Sequence, residues 1–144
     1  MENTKQSKKE LARRMNEKLW GEGDLDLIDA HISEEYVEYN SASPEPIEGR
    51  KGYKANVKMI RGAFPDLDAK TEHVIVEDDR VVNHFTLTGT HQGEIMGIEP
   101  TGKSVEFSGI HIGKLDNGEL AKGWCVINIS GLMQQLGVME GPGE

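Results

Sequence analysis

Gly89-Thr90-His91-Gln92-Gly93-Glu94-Ile95-Met96-Gly97-Ile98-Glu99-Pro100-Thr101-Gly102-Lys103 separates two runs of alternating polar and apolar residues, Val81 to Thr88 before it and Ser104 to Leu115 after it. Period-two alternation marks a half-buried strand, and glycine with proline between two such runs marks a connection. The stretch therefore reads as the link between two long strands. Outward from it, Leu67 to Val76 and Glu119 to Ile129 alternate in the same way. Asp116-Asn117-Gly118 supplies a hairpin turn, because Asn-Gly accepts the positive φ angles of a tight reversal. The five glycines from Gly89 to Gly109 permit sharp bends, and long antiparallel strands twist. A strongly curved sheet is predicted.

The first third of the chain carries a different period. Ser7-Lys8-Lys9-Glu10 has the form of a capping box, and Leu11, Met15 and Leu19 then recur every fourth residue. Gly21 and Gly23 supply a stop, and Asp24 can cap a short second helix carrying Leu25, Leu27, Ile28 and His31. Glu35 to Tyr39 reads as a strand and the proline-bearing Ser41 to Gly49 as a loop. A third helix from about Arg50 shows Tyr53, Val57 and Ile60 on one face and ends before Pro65. Gly131 to Val138 forms a short terminal helix. The sequence thus predicts an α+β fold, with the sheet wrapped around N-terminal helices in a single domain over 1–144 whose core is about 7–138.

Composition excludes several functions. The net charge of −9 leaves no basic face for nucleic acid or an anionic membrane. One cysteine, Cys125, allows neither an intrachain disulfide nor a cysteine metal cluster, and the five histidines lack compact ligand spacing. No metal and no cofactor are expected. No apolar run approaches the roughly 18 residues that cross a bilayer, and Met1 to Glu10 lacks the apolar segment of a signal peptide. A cytoplasmic protein is expected.

Together with Trp124-Cys125-Val126-Ile127-Asn128 and Leu132-Met133-Gln134-Gln135-Leu136-Gly137, the opening stretch resembles the SnoaL-like family, which includes polyketide cyclases. The resemblance spans roughly Leu11 to Val138. It implies a cone-shaped α+β barrel of the nuclear transport factor two type, with a mostly antiparallel sheet and helices enclosing a pocket for a hydrophobic small molecule. It also implies a homodimer through the outer sheet face. For activity it implies acid/base chemistry on a carbonyl-bearing substrate, as in the aldol closure run by the cyclases.

Strand parity sorts candidates into faces. Val82, His84, Thr86 and Thr88 share one face, and Val81, Asn83, Phe85 and Leu87 the other. Trp124, Val126 and Asn128 share a face, as do Phe107, Gly109, His111 and Gly113. The resemblance implies that the face with His84, Trp124 and Asn128 looks into the pocket, and that Val81, Phe85, Leu87, Ile110 and Ile112 cover a dimer interface. It implies an acid at position 128, where Asn128 cannot titrate. His84 is then the candidate proton-transfer group or, alternatively, a neutral hydrogen-bonded histidine. His84 and Asn128 are the catalytic candidates. Tyr39, Asn40, Thr86, His91, Met96, Phe107, His111, Trp124 and Val126 are the ligand-binding candidates, His91 being equally suited to bracing its turn. Cys125, alternating with Trp124 and Val126, is expected to face away from the pocket. Two functions stay open: an acid/base enzyme of the cyclase kind, and a module that binds a hydrophobic ligand without turnover because Asn128 replaces the acid. A third function, that of the fold's epoxide-hydrolase branch, which this chain resembles only in architecture, implies an aspartate at position 126, and Val126 weighs against it.

Overall fold

Thr4 opens the first helix, α1 (Lys5–Arg14), one turn earlier than the Ser7 box predicts: its Oγ1 accepts the Ser7 backbone N–H at 3.0 Å. Threonine is itself a favoured capping residue, and the earlier start adds a turn. The helix continues as a π-helical segment, Met15–Trp20, whose wider turn brings Asn16 inward beside the apolar Met15 and Leu19. A short helix α2 (Asp26–His31) follows, and here Asp24 contributes its backbone carbonyl, not its side chain, to the first turn. The computed structural model describes residues 4–138.

Strand β1 (Ile32–Asn40) leads through the short β2 (Ile47–Glu48) into α3 (Gly49–Ala63), which stops two residues before Pro65, with Phe64 as its C-cap. Four long strands follow, β3 (Asp68–Glu77), β4 (Arg80–Thr90), β5 (Ser104–Asp116) and β6 (Glu119–Ile127), and then α4 (Ile129–Leu136). Asn117 and Gly118 make the β5–β6 turn at φ 52° and 80°, as their sequence predicts. The sheet order is β2-β1-β6-β5-β4-β3, and every neighbouring pair is antiparallel except β1 with β6, which run parallel. The sheet curls around the N-terminal helices and α3, as expected of an α+β barrel. Among the described residues no helix is long and apolar enough to cross a membrane.

The long β4–β5 connection is held by close approach to α3. Gln92 and Gly93 both donate to the Ala63 carbonyl, at 2.9 and 3.1 Å, and a Cβ on Gly93 would collide with the Gly62 carbonyl oxygen. Glycine is required there because two backbones touch.

Register decides which face is buried. His84 pairs with Ile110, Ile110 with Val126, and Ile112 with Trp124, so these residues share one face. Asn83 pairs with His111 and His111 with Cys125 on the other. The helices cover the second face, burying Val81, Phe85, Leu87, Phe107 and Leu115, while Ile110 and Val126 stay 47% and 65% exposed. The implied assignment is therefore reversed for β4 and β6. His84, Thr86, Trp124 and Val126 look outward, and Val81, Phe85, Leu87 and Cys125 look inward; Ile110 and Ile112 lie outside as expected. The physical reason is area: the inward side buries the larger side chains Phe85, Leu87, Phe107 and Leu115, whereas the outer side intersperses its apolar residues with Thr86, Glu106 and Lys122.

Candidate functional site

Between the helices and the inner sheet face lies a cavity of about 330 Å³. Its walls are mainly apolar, among them Met15, Trp20, Phe85, Leu87, Phe107 and Leu132. A polar row crosses them: Asn16 and Asn83 at one side, then His111, then Glu38 and Asn40. Few convergent polar groups within apolar walls is the usual form of a small-molecule site.

Glu38 is the centre of this row. Strand alternation puts Tyr36 and Glu38 of β1 on the same inward face, and both are buried. The Tyr36 hydroxyl donates to Glu38 Oε1 at 2.7 Å, and the Asn40 amide donates to Oε2 at 2.9 Å. His111 Nε2 stands 3.1 Å from the same Oε1 and 3.1 Å from the Tyr36 oxygen. The single proton of the phenol is committed to Glu38, so Nε2 carries the ring proton and donates to the carboxylate. That leaves Nδ1 as an acceptor on a ring that lines the cavity, with no protein partner among the described residues. A carboxylate that fixes a histidine tautomer in this way prepares the free nitrogen to take a proton.

The electrostatics agree. Burial alone would raise the Glu38 pKa, but the hydrogen bond and attraction of His111, with the bonds from Tyr36 and Asn40, outweigh it and hold the carboxyl below its ordinary range. Burial first, then the Glu38 charge, pushes the Tyr36 phenol far up, so it remains a donor. The same two causes raise the Cys125 thiol, which makes Cys125 a neutral wall residue and not a nucleophile.

Gly123 makes the cluster possible. A Cβ there would collide with the Tyr36 hydroxyl and lie 2.7 Å from His111 Nε2. The strand β6 therefore passes behind the cluster without a side chain.

Of the residues singled out in the sequence, His111, Phe107, Asn40 and Met96 line the cavity, Met96 at its rim with 46% exposure. His91 is fully buried outside it: Nδ1 accepts from the Thr101 backbone at 3.1 Å, and the ring packs on Phe64, so it braces the β4–β5 loop. The others point elsewhere. Tyr39 and Trp124 flank Lys122, whose Nζ lies 5.6 and 5.3 Å from their ring centres. His84 hydrogen-bonds His73 at 3.0 Å, and Thr86 donates to Glu72 at 2.7 Å, all on the outer face. Val126 is exposed beside them, and Asn128 caps α4, its Oδ1 accepting the Gly131 N–H at 3.0 Å. Among the described residues no group of three or more His, Cys, Asp or Glu side chains could hold a metal. Tyr36, Glu38, Asn16 and Asn83 are not among the candidates that the sequence yields. The available signal was the alternation of Tyr36 with Glu38, which places a carboxylate on the apolar face of its strand.

A curled mixed sheet closed by helices over an apolar pocket, with one buried carboxylate–imidazole pair inside, defines a cone-shaped α+β barrel built around a small-molecule site. The chain belongs to the SnoaL-like polyketide cyclase family, whose profile matches residues 10–136. It is 28% identical over 127 residues, covering 87% of each chain, to the aklanonic acid methyl ester cyclase AcmA of Streptomyces galilaeus. Its structure is similar to that of AclR, a provisionally assigned hydroxylase from the same organism (TM-score 0.84, 30% identity, covering 96% of this chain and 89% of AclR). It is also similar to TsrD from Streptomyces laurentii (TM-score 0.85, 27% identity, 96% and 100% coverage).

Proposed function

We propose that this protein is a cyclase that closes a carbon–carbon bond within a neutral, hydrophobic, carbonyl-bearing molecule, with His111 as acid/base and Glu38 as the group that orients it. The observation that carries the reading is the 3.1 Å contact between His111 Nε2 and the buried Glu38 carboxylate inside an apolar cavity. In the reaction, His111 Nδ1 takes a proton from a carbon flanked by carbonyls, and the electron pair moves onto a carbonyl oxygen as an enolate. The enolate carbon attacks a second carbonyl carbon, and the resulting alkoxide recovers the proton from His111. The sum is an isomerisation with no oxidant or reductant. An ionised Glu38 in low dielectric disfavours an anionic ligand, and the one lysine on the lining, Lys8, has its Nζ 2.6 Å from the Asp78 carbonyl. Kinship with a cyclase acting on a methyl ester supports the same class of substrate. The alternative of binding without turnover depends on Asn128, which caps α4 through its side chain and is not among the residues lining the cavity.

The test is conversion of aklanonic acid methyl ester, followed by chromatography of the product. His111→Ala and Glu38→Gln should each lower kcat by about 10²- to 10⁴-fold. Unchanged turnover in both variants would remove the proposed roles.

A homodimer through the outer sheet face is part of the proposal. Ile75, Val82, Ile112 and Trp124 form one cross-strand row over four strands, with Ile110 beside Val126 next to it. An apolar patch of this extent is ordinarily covered, and a second copy of the chain covers it symmetrically.

A further inference from the structure

Asn83 and Asn16 form a reciprocal amide pair on the cavity lining. Asn16 Nδ2 donates to Asn83 Oδ1 at 2.8 Å, and Asn83 Nδ2 donates to Asn16 Oδ1 at 3.1 Å. Asn16 Nδ2 also donates to Thr71 Oγ1 at 2.9 Å, which anchors the pair to β3. Both asparagines are buried, at 4% and 7% exposure, yet both border the cavity. A reciprocal pair uses one N–H and one carbonyl lone pair of each carboxamide. Asn16 spends its second N–H on Thr71. Asn83 keeps one N–H with no acceptor among the described residues.

The position of that donor is specific. Asn83 is the direct cross-strand partner of His111, and both side chains stand on the cavity face. Directly opposed residues of antiparallel strands carry Cβ atoms about 5 Å apart. A substrate whose acidic C–H meets His111 Nδ1 therefore places the adjacent carbonyl oxygen within reach of the Asn83 amide. A neutral amide fixed by two other contacts is suited to stabilising charge that develops on that oxygen, since it needs no reorganisation. Asn16, near the start of the π-helical segment Met15–Trp20 and itself tied to Thr71, is what fixes it.

We infer that Asn83 is a further catalytic residue, donating its free amide N–H to the carbonyl oxygen that becomes the enolate, and that Asn16 is its positioning residue. The inference rests on the acid/base reading of His111 given above.

The experiment pairs turnover of aklanonic acid methyl ester with the visible titration of bound alizarin, an anthraquinone whose phenol changes colour on ionising. Asn83→Ala deletes the donor, and Asn83→Asp deletes it while keeping an acceptor for Asn16. Both should lower kcat about 10²-fold with KM within about threefold. Both should raise the pH at which bound alizarin ionises by about one unit, the tenfold effect of losing one charge-assisted hydrogen bond. A kcat within threefold of wild type, or an unmoved alizarin midpoint, in a folded variant overturns the inference. If the alanine variant does not fold, the aspartate variant decides. Failure of the parent reading shows separately, as a wild-type protein inert toward the ester or indifferent to His111→Ala, and the alizarin midpoint then still decides the role of Asn83.

Discussion

The His111 imidazole and the Glu38 carboxylate meet 3.1 Å apart inside the barrel although 73 residues separate them in the chain. Neither group is held by sequence neighbours alone. Tyr36 and Asn40 fix the acid from its own strand, and the acid fixes the ring from across the sheet.

This coupling makes stability depend on pH in a definite direction. The Glu38 carboxyl is held below its ordinary range in the fold, so the unfolded chain binds a proton there at higher pH than the folded chain does. Its contribution is complete above the unfolded carboxyl value of about 4.3 and is lost as pH falls through the lower folded value. Urea midpoints taken from pH 6 to pH 3 should therefore fall more steeply for wild type than for Glu38→Gln. Parallel declines would show that Glu38 does not carry the effect.

Gly123→Ala tests the space behind the cluster. A methyl group there meets the Tyr36 hydroxyl and His111 Nε2, and overpacking of this kind costs about 1–3 kcal/mol. The variant should lose that much in urea denaturation and should also lose turnover, because His111 is displaced. Full stability with full turnover would mean that β6 yields without moving the ring.

Asn128→Ala should separate stability from chemistry. The side chain caps α4 at 3.0 Å from the Gly131 nitrogen, and loss of such a cap costs about 0.5–2 kcal/mol. The melting temperature should fall while kcat stays within threefold of wild type. A tenfold or larger loss of kcat in the folded variant would put Asn128 at the reaction after all.

Val126→Asp addresses assembly. Val126 is 65% exposed on the outer face, so the isolated chain should fold unaltered. Sedimentation equilibrium should show a dimer for wild type and a monomer for the variant at micromolar concentration. A wild-type monomer would remove the proposed interface.

Much of the fold was legible because its signals are local. The alternation through Val81 to Thr88, the Asn117-Gly118 turn and the Tyr53–Val57–Ile60 stripe each report one element without reference to any other. The site was less legible because its signals are relative. Parity tells that His84 and Phe85 face opposite ways, but only the pairing of His84 with Ile110 and of Ile110 with Val126 tells which way is out. Parity groups His111 with Phe107 without saying which way they face, family likeness alone points His84, Trp124 and Asn128 inward, and register overrules that assignment. Glu38 is hard to single out because a glutamate in the run Glu34-Glu35-Tyr36-Val37-Glu38 resembles a solvated surface. Alternation with Tyr36 puts it on the apolar face, but the histidine it pairs with lies two strands away, which no local pattern encodes. The π-helical turn at Met15–Trp20 likewise has no signature in the spacing of Leu11, Met15 and Leu19.

The parallel seam between β1 and β6 has a temporal meaning. The strands β3, β4 and β5 can pair as soon as they are made, since each lies beside its neighbour in sequence. β1, synthesised long before them, lies beside β6 in the sheet, and β6 must slot between β1 and β5 before Glu38 can reach His111. Non-local closures of this kind come late in folding. A half-folded chain thus exposes an imidazole with no acid to orient it, and the His111–Glu38 pair exists only in molecules whose sheet is finished.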